Sequence, residues 1–168
     1  MKLHGDITIN NKQYKKGMNV PWKFIYPFFL VHMAAFGTSG FFLAYGNDDV
    51  MFLYMHGGLA IFVYTIFYFA IFGFDEVRWM FINAGLGLFG IYSEIDWILT
   101  AFDRQASDFP WYVHAIPFLY YVLYTFLIRQ ACIDISGARN NPERRRIVDY
   151  CYVGLSILIY SAIFISQR

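Results

Sequence analysis

The sequence predicts an all-α, polytopic membrane protein, folded as a bundle of five transmembrane helices. Of its 168 residues, 58% are hydrophobic and only 15% are charged, whereas a soluble domain contains about 25% charged residues. Five apolar stretches fill most of the chain, and each has about 20 residues, enough for a helix to cross ~30 Å of hydrocarbon. We therefore expect a single transmembrane domain at 24–168, preceded by a cytoplasmic tail at 1–23.

The N-terminal tail contains a strand signal. Residues 7–9 and 12–14 alternate apolar and polar side chains on either side of Asn10 and Asn11, which predicts a short β-hairpin. An isolated two-stranded hairpin is only marginally stable in water. We therefore expect this hairpin to lie against the helix bundle or against a partner.

The five spans are predicted at about 24–46, 51–74, 80–101, 111–131 and 147–166. Gly137 is expected to end the fourth helix. Asn141, Pro142 and Glu143 then form a helix start, with an N-cap residue, a proline at the first helical position and an acidic first turn.

Basic residues predict the orientation of the bundle. With the N-terminus inside, eleven of the thirteen lysines and arginines lie on the inner side, and only Arg104 and Arg168 lie outside. This asymmetry predicts a cytoplasmic N-terminus and an outer C-terminus, as in a multi-pass protein of the bacterial inner (plasma) membrane. The four tryptophans fall at span ends, as an aromatic belt requires: Trp22 and Trp79 inside, Trp97 and Trp111 outside.

The charge pattern also limits the partners that we expect. The net charge of +1 gives no reason to expect a nucleic-acid partner. The run Arg144, Arg145 and Arg146 precedes the fifth span, and we expect it to contact anionic lipid headgroups at the inner surface.

One face of the third span combines small and polar residues. Asn83, Gly87, Gly90 and Glu94 are spaced at i, i+4, i+7 and i+11, which places them on one side of a helix. Small residues allow another transmembrane helix to approach closely. Glu94 is therefore predicted to face protein or a cavity and not lipid.

Ionisable residues from three spans are predicted to lie at one depth. At ~1.5 Å per residue, His56, Glu94 and His114 fall roughly 6–11 Å below the outer boundary, with Asp96 close by. Ionisable groups at bilayer depth are costly and mark functional sites. We therefore predict a ligand or ion site at Glu94, His56, His114 and Asp96. His32, near the middle of the first span, is the candidate for a proton relay.

Several chemistries fit this layer. Imidazole and carboxylate groups suit Zn²⁺, Cu²⁺ or iron, so His56, His114 and Glu94 form a candidate metal-ligand set. A b-type haem held by His56 and His114 is an alternative cofactor. A purely structural polar cluster that fixes helix packing is the other alternative.

The sequence contains no GxSxG, HExxH or P-loop motif, so we expect no catalytic role. The predicted function is that of a small integral membrane protein acting as a non-catalytic subunit of a homo-oligomer or larger membrane complex. One alternative is an ion channel or proton-coupled transporter that uses Glu94. The other is a haem- or metal-binding redox subunit.

Overall fold

A computed structural model describes residues 2–9, 11–46 and 49–166, which are mostly helical. Two strands come first, β1 (Ile7–Ile9) and β2 (Lys12–Tyr14). The helices follow as α1 (Trp22–Gly46), α2 (Val50–Phe72), α3 (Phe74–Val77), α4 (Trp79–Thr100), α5 (Ala115–Ile135) and α6 (Pro142–Ser166). Two short 3₁₀ turns, Ala106–Asp108 and Trp111–His114, connect α4 to α5.

Within the described ranges, four helical segments are long and apolar enough to cross a membrane: Ile25–Gly46, Val50–Phe72, Trp111–Ile135 and Pro142–Ser166. These segments confirm the prediction of an α-helical chain with several membrane-spanning helices. Helix α4 is also long, with 22 residues, but it is not among the four. Its polar side chains, which include Glu94 and Asp96, lower its mean hydropathy.

The predicted hairpin is present. Strands β1 and β2 pair antiparallel, with Ile7 opposite Tyr14. Asn11 has a φ of 60°, a left-handed conformation that asparagine tolerates better than most residues. Asn10, the other predicted turn residue, lies outside the described part of the chain, as does Arg168 at the C-terminus.

The N-terminal tail is attached to the end of α2. The backbone N–H groups of His4 and Gly5 both donate to the carbonyl oxygen of Ala70, at 2.7 and 2.8 Å. Leu3 and Ile7 are buried at this attachment. The hairpin thus lies against the bundle, and we call this end of the molecule the tail end.

Helix α5 is the centre of the bundle. It packs against α1 on one side and α4 on another, and about half of its residues are buried. Helix α4 also packs against α6, and the predicted small-residue face makes both contacts. A Cβ on Gly87 would lie 3.0 Å from the ring of Tyr121 in α5, and one on Gly90 would overlap the ring of Tyr160 in α6.

Helix α4 runs from one end of the bundle to the other. At the tail end, Glu76 lies just before α4 and accepts hydrogen bonds from Gln130 of α5 and Arg145 of α6. At the opposite end, which we call the far end, Arg104 follows α4 and donates to the carbonyl oxygen of Tyr45, the second-last residue of α1, at 2.6 Å. Helix α4 therefore extends over the full length of the bundle, from the tail end to the far end.

Candidate functional site

His114 lies at the far end, in the 3₁₀ turn that precedes α5. Its Nδ1 is 2.8 Å from the hydroxyl of Tyr45, which is buried at the end of α1. The ring of Tyr45 also meets Phe109 edge-on, with 5.0 Å between ring centroids. The imidazole therefore links the loop before α5 to the end of α1.

His56 occupies an irregular turn of α2. Residues Tyr54–Gly58 form a π-helical turn, a feature that often occurs at functional sites. The Nε2 atom of His56 is 3.4 Å from the hydroxyl of Ser39 in α1, which is a long hydrogen bond. Its ring stacks on Phe52, with centroids 5.8 Å apart.

Asp96 fastens the loop that follows its own helix. Its Oδ1 accepts a hydrogen bond of 2.7 Å from the backbone N–H of Ala106, at the start of the first 3₁₀ turn. The carboxylate therefore has a local structural partner.

Glu94 lines a pocket of about 250 Å³ between α1, α4 and α5. Apolar and tyrosine side chains form most of the wall, including Met33, Ile95 and Tyr124. The hydroxyl of Tyr120, on the same wall, is buried and has no hydrogen-bond partner among the described residues. Glu94 is the member of the predicted layer that lines this pocket.

The described contacts of the predicted layer go to separate partners. Within the described part of the chain, no three His, Cys, Asp or Glu side chains are placed to hold a metal ion together. His56, His114 and Asp96 contact Ser39, Tyr45 and Ala106. The metal and haem roles of His56, His114 and Glu94 thus stay predictions.

His32 and the arginine run take positions that the sequence did not specify. His32 is exposed on α1, and its Nδ1 is 2.7 Å from the carbonyl oxygen of Phe28 in its own helix. Its relay role stays a prediction.

The arginine run that precedes the fifth span is only partly exposed. Arg144 and Arg146 are exposed, as headgroup contact requires, but Arg145 turns inward to Glu76.

The tail end contains a charged network that the sequence reasoning missed. It has three arginines and three carboxylates, joined through Gln130, and we call it the tail-end network: Glu76, Arg129, Gln130, Asp134, Arg139, Arg145 and Asp149. Equal numbers of positive and negative groups make it neutral as a whole.

Arg129 is its most buried member. The side chain has no exposed surface, and its Nε donates to Asp149 Oδ1 at 2.9 Å. Nη2 is 2.7 Å from the same oxygen and Nη1 is 3.6 Å from Glu76 Oε2, but neither is aligned for a hydrogen bond with a described residue. The guanidinium carbon lies 3.7 Å from the ring centroid of Trp79, which adds a cation–π contact.

Glu76 connects α3, the short helix before α4, to α6 and α5. Its Oε2 accepts from Arg145 at 2.7 Å and from Gln130 at 2.9 Å. Burial acts to raise the pKa of Glu76, but the hydrogen bond from Gln130 and the hydrogen bond and charge of Arg145 outweigh it. The pKa is therefore lowered from its ordinary value, and Glu76 is ionised at neutral pH.

A second half of the network surrounds Asp134. Arg139 donates through Nε and Nη2 to the two oxygens of Asp134, and Tyr26 donates its hydroxyl to the same carboxylate. Burial acts to lower the pKa of Arg139, but the hydrogen bonds and charge of Asp134 raise it overall. Arg139 Nη2 also donates to Gln130 Oε1 at 2.9 Å, so the amide of Gln130 bridges both halves.

A polar cavity of about 780 Å³ opens beside this network. The N-terminal tail contributes Lys2 and His4 to its wall, and the loop between α5 and α6 contributes Arg139 and Asn140.

One signal in the sequence could have revealed part of the network. Arg129 and Asp149 both fall inside predicted spans, each two residues from the inner boundary. Opposite charges at one depth on two helices are candidates for pairing. In the positive-inside count, Arg129 serves only as a marker of orientation.

Protein-family models, curated proteins and solved structures give no match to this chain. The functional assignment therefore rests on the geometry described above.

Proposed function

We propose that the chain is a five-span membrane protein that acts as a non-catalytic subunit of a membrane complex, with a cytoplasmic N-terminus and an outer C-terminus. The tail-end network is the observation that supports this role. Its charges pair with one another and join three helices, α3, α5 and α6, and the loop between α5 and α6. Every carboxylate of the network forms an ion pair with an arginine, which is typical of a structural role that holds a surface in place.

The path of α4 supports the fifth span. The helix begins at Trp79, whose ring contacts Arg129 at the tail end, and it is followed by Arg104, which contacts Tyr45 at the far end. A helix of 22 residues with this course is long enough to cross the hydrocarbon core. The tail and the loop before α6 then lie on one side, where the positive-inside rule places their lysines and arginines.

Cysteine labelling tests this topology. In a chain whose own Cys132 and Cys151 are replaced by serine, Thr8→Cys and Ser107→Cys introduce exposed thiols at the tail end and the far end. We expect a membrane-impermeant maleimide to label Ser107→Cys on intact bacterial cells, and Thr8→Cys only after permeabilisation. The reverse pattern would contradict the orientation, and labelling of both on intact cells would contradict five spans.

The polar cavity at the tail end is the proposed contact for a second protein chain. Its wall is held in place by the tail-end network, and it opens on the side that we assign to the cytoplasm. Native mass spectrometry of the protein extracted in mild detergent tests this proposal. We expect the chain to appear in an assembly of fixed stoichiometry, whether with copies of itself or with other chains.

A matched pair of variants sharpens that experiment. Asn140→Trp places a bulky side chain in the cavity wall, whereas Gln13→Trp places the same side chain on the exposed hairpin. We expect only Asn140→Trp to dissociate the assembly. A monomer in the unmodified protein, or an assembly that survives Asn140→Trp, would overturn the cavity as the contact.

A second candidate function is proton-coupled transport through Glu94. It is favoured by the position of this carboxylate on the wall of an open pocket at bilayer depth. Proteoliposomes with a potassium diffusion potential and a trapped pH dye would report proton entry. We expect Glu94→Gln to abolish the flux and Asp96→Asn, the neighbouring carboxylate with a local partner, to retain it. Equal flux in both variants, or none in the unmodified protein, excludes this candidate.

A further inference from the structure

The polar cavity at the tail end is built mainly from segments outside the predicted spans. They are the N-terminal tail, the short helix α3, the end of α5, the loop that follows it and the start of α6. Of the predicted spans, only the end of the second, at residues 71–74, reaches the wall. We therefore expect a ligand of this cavity to come from water and not from the acyl chains. The volume of about 780 Å³ is within the range of about 300–1,000 Å³ that binding sites usually have.

The carboxylates on the cavity wall already have cations of the same chain beside them. Three carboxylates line the cavity, and each forms an ion pair with an arginine: Glu76 with Arg145, Asp134 with Arg139 and Asp75 with Arg78. None of these acidic groups is left to attract a cationic ligand.

Two arginines of these pairs keep N–H groups for a ligand. Arg139 uses Nε and Nη2 in its described hydrogen bonds, and Arg145 uses Nη2. A guanidinium has five N–H donors, so each arginine has donors without a partner among the described residues. The two side chains are 23% and 28% exposed on the cavity wall, and a ligand can therefore reach them.

The network also holds these two arginines close together. Gln130 accepts a hydrogen bond from Arg139 at 2.9 Å and donates one to Glu76 at 2.9 Å, and Glu76 in turn accepts from Arg145 at 2.7 Å. Only one amide and one carboxylate thus separate the two guanidinium groups. Because these bonds fix the side chains before a ligand arrives, binding costs less side-chain freedom.

Lys2 gives the cavity wall a positive charge that no described carboxylate compensates. The side chain is exposed on this wall and forms no ion pair with a described residue. The backbone of Lys2 forms a β-bridge with Asn19, which also lines the cavity. Since the three ion pairs of the wall are neutral, Lys2 leaves a net positive charge. Ammonium and guanidinium donors on a positive wall are complementary to carboxylates.

We propose that the second protein chain enters this cavity with an acidic segment. Its carboxylates accept hydrogen bonds from the free N–H groups of Arg139 and Arg145 and pair with the ammonium group of Lys2. Guanidinium groups match the geometry of carboxylates, and the cavity opens on the side that we assign to the cytoplasm. The inference rests on the proposed contact at the cavity and adds the chemistry of the partner.

Fluorescence anisotropy of fluorescein-labelled hexaglutamate, titrated with the purified protein, tests the proposal. The protein is first washed at high salt, which screens charges and releases an acidic partner, and is then measured at low salt. Hexaglutamine is the matched neutral peptide. We expect saturable binding of hexaglutamate at one site per chain and no saturable binding of hexaglutamine. Equal binding of both peptides, or no saturable binding of hexaglutamate, would overturn the proposal.

Two pairs of variants assign the peptide to the cavity. Asn140→Trp fills the wall and should abolish the binding, whereas Gln13→Trp on the hairpin should retain it. Lys2→Gln should raise the Kd by about 2- to 5-fold, the range for an exposed ion pair. Lys12→Gln removes an exposed lysine from the hairpin, outside the cavity wall, and should leave the Kd unchanged.

The lysine pair keeps the test decisive if Asn140→Trp fails to fold. Lys2 and Lys12 are both exposed, so the fold should survive either substitution. Equal rises of the Kd in Lys2→Gln and Lys12→Gln would show a diffuse surface charge and contradict the proposed contacts. Binding that persists in a folded Asn140→Trp variant would place the peptide elsewhere.

A competitor distinguishes an acidic protein segment from a lipid headgroup. Glycerol phosphate is the free headgroup of an anionic phospholipid and carries a single phosphate group. We expect it to leave hexaglutamate bound at a concentration equal to the Kd of the peptide, because one phosphate group reaches fewer of the donors. Displacement at that concentration would assign the cavity to phosphate groups and overturn the acidic segment.

The acidic segment and the contact itself fail in different ways in native mass spectrometry. We expect saturating hexaglutamate to dissociate the assembly, as Asn140→Trp does. An assembly that dissociates in Asn140→Trp but persists with hexaglutamate would keep the contact and overturn the acidic segment. A monomeric unmodified protein would overturn the contact and this inference with it.

Discussion

Replacing Arg129 with methionine tests how much the tail-end network contributes to the stability of the bundle. The arginine is fully buried, and it contacts Asp149, Glu76 and the ring of Trp79. Methionine keeps a long apolar side chain in the same space but removes the charge. A lower stability of this variant therefore reports the lost electrostatic interactions and not a loss of packing.

The expected magnitude follows from the geometry of the ion pairs. At an effective dielectric constant of about 20, unit charges separated by 2.7 Å attract by about 6 kcal/mol, and those separated by 3.6 Å by about 5 kcal/mol. The desolvation of a buried arginine offsets much of this attraction. Removing one partner of a buried pair nevertheless costs about 3–5 kcal/mol, because the other charge remains unpaired.

Two details place the expected value within that range. Glu76 keeps Arg145 and Gln130 as partners after the substitution, so Asp149 is the carboxylate that loses its cation. The side chain of Asp149 is 16% exposed, and water can therefore reach it. We expect Arg129→Met to lower the free energy of unfolding by about 3 kcal/mol, at the lower end for a broken buried pair.

Unfolding in mixed micelles with increasing dodecyl sulfate, followed by helical circular dichroism, measures this quantity. Arg78→Met is the matched control, because Arg78 pairs with Asp75 at the surface with side chains 65% and 89% exposed. Exposed pairs contribute about 0–1 kcal/mol. The double variant Arg129→Met with Asp149→Leu should recover most of the loss, since no charge is then left unpaired. Equal effects of Arg129→Met and Arg78→Met would refute the reasoning.

Three further predictions concern other parts of the bundle. The pKa of Glu76 is lowered in the folded chain, so its stabilising effect is complete above the ordinary carboxyl pKa and is lost as the pH falls through the folded-state pKa. The free energy of unfolding, measured across this acidic range, should therefore depend less on pH in Glu76→Gln than in the unmodified protein. An equal pH dependence in both proteins would contradict this prediction. Tyr120→Phe removes a buried hydroxyl that has no hydrogen-bond partner among the described residues, and it should raise the free energy of unfolding by about 1 kcal/mol. A destabilised variant in the same micelle titration would be evidence for an unseen partner. Gly90→Ala should lower the free energy of unfolding by about 1–3 kcal/mol through overpacking, because its Cβ would overlap the ring of Tyr160. Gly85→Ala, where an added Cβ meets no described atom within 4 Å, is the control and should be neutral or slightly stabilising.

The helices could be predicted from the sequence because the physics of their boundaries is local. The first apolar stretch, predicted at 24–46, is the helix Trp22–Gly46. Helix α6 begins five residues before its apolar stretch, at Pro142. Asn141 caps this start by accepting a hydrogen bond from the N–H of Arg144 at 3.1 Å, as the Asn-Pro-Glu pattern predicted. Hydropathy alone could not find this start, because the charged first turns of α6 lie outside the apolar stretch.

The candidate site could be predicted only in part, because depth and direction are different properties. Depth follows from counting residues along a span, and it placed Glu94 at a level where a polar group needs a partner. Direction depends on how each helix is rotated against its neighbours, which tertiary packing sets. The same limit hid the pairing of Arg129 with Asp149, although both depths could be read from the sequence.

The two polar regions of the bundle differ in how their carboxylates are compensated. Each carboxylate of the tail-end network forms an ion pair with an arginine, whereas Glu94 lines a pocket and forms no ion pair with a described residue. Arg129 and Tyr120, which also lines that pocket, lie nine residues apart on α5, or roughly 14 Å at 1.5 Å per residue. Arg129→Met should therefore lower the free energy of unfolding without disturbing the pocket, and Glu94→Gln should leave the tail-end network intact. A loss of stability in Glu94→Gln as large as that in Arg129→Met would mean that the two regions are coupled through the bundle.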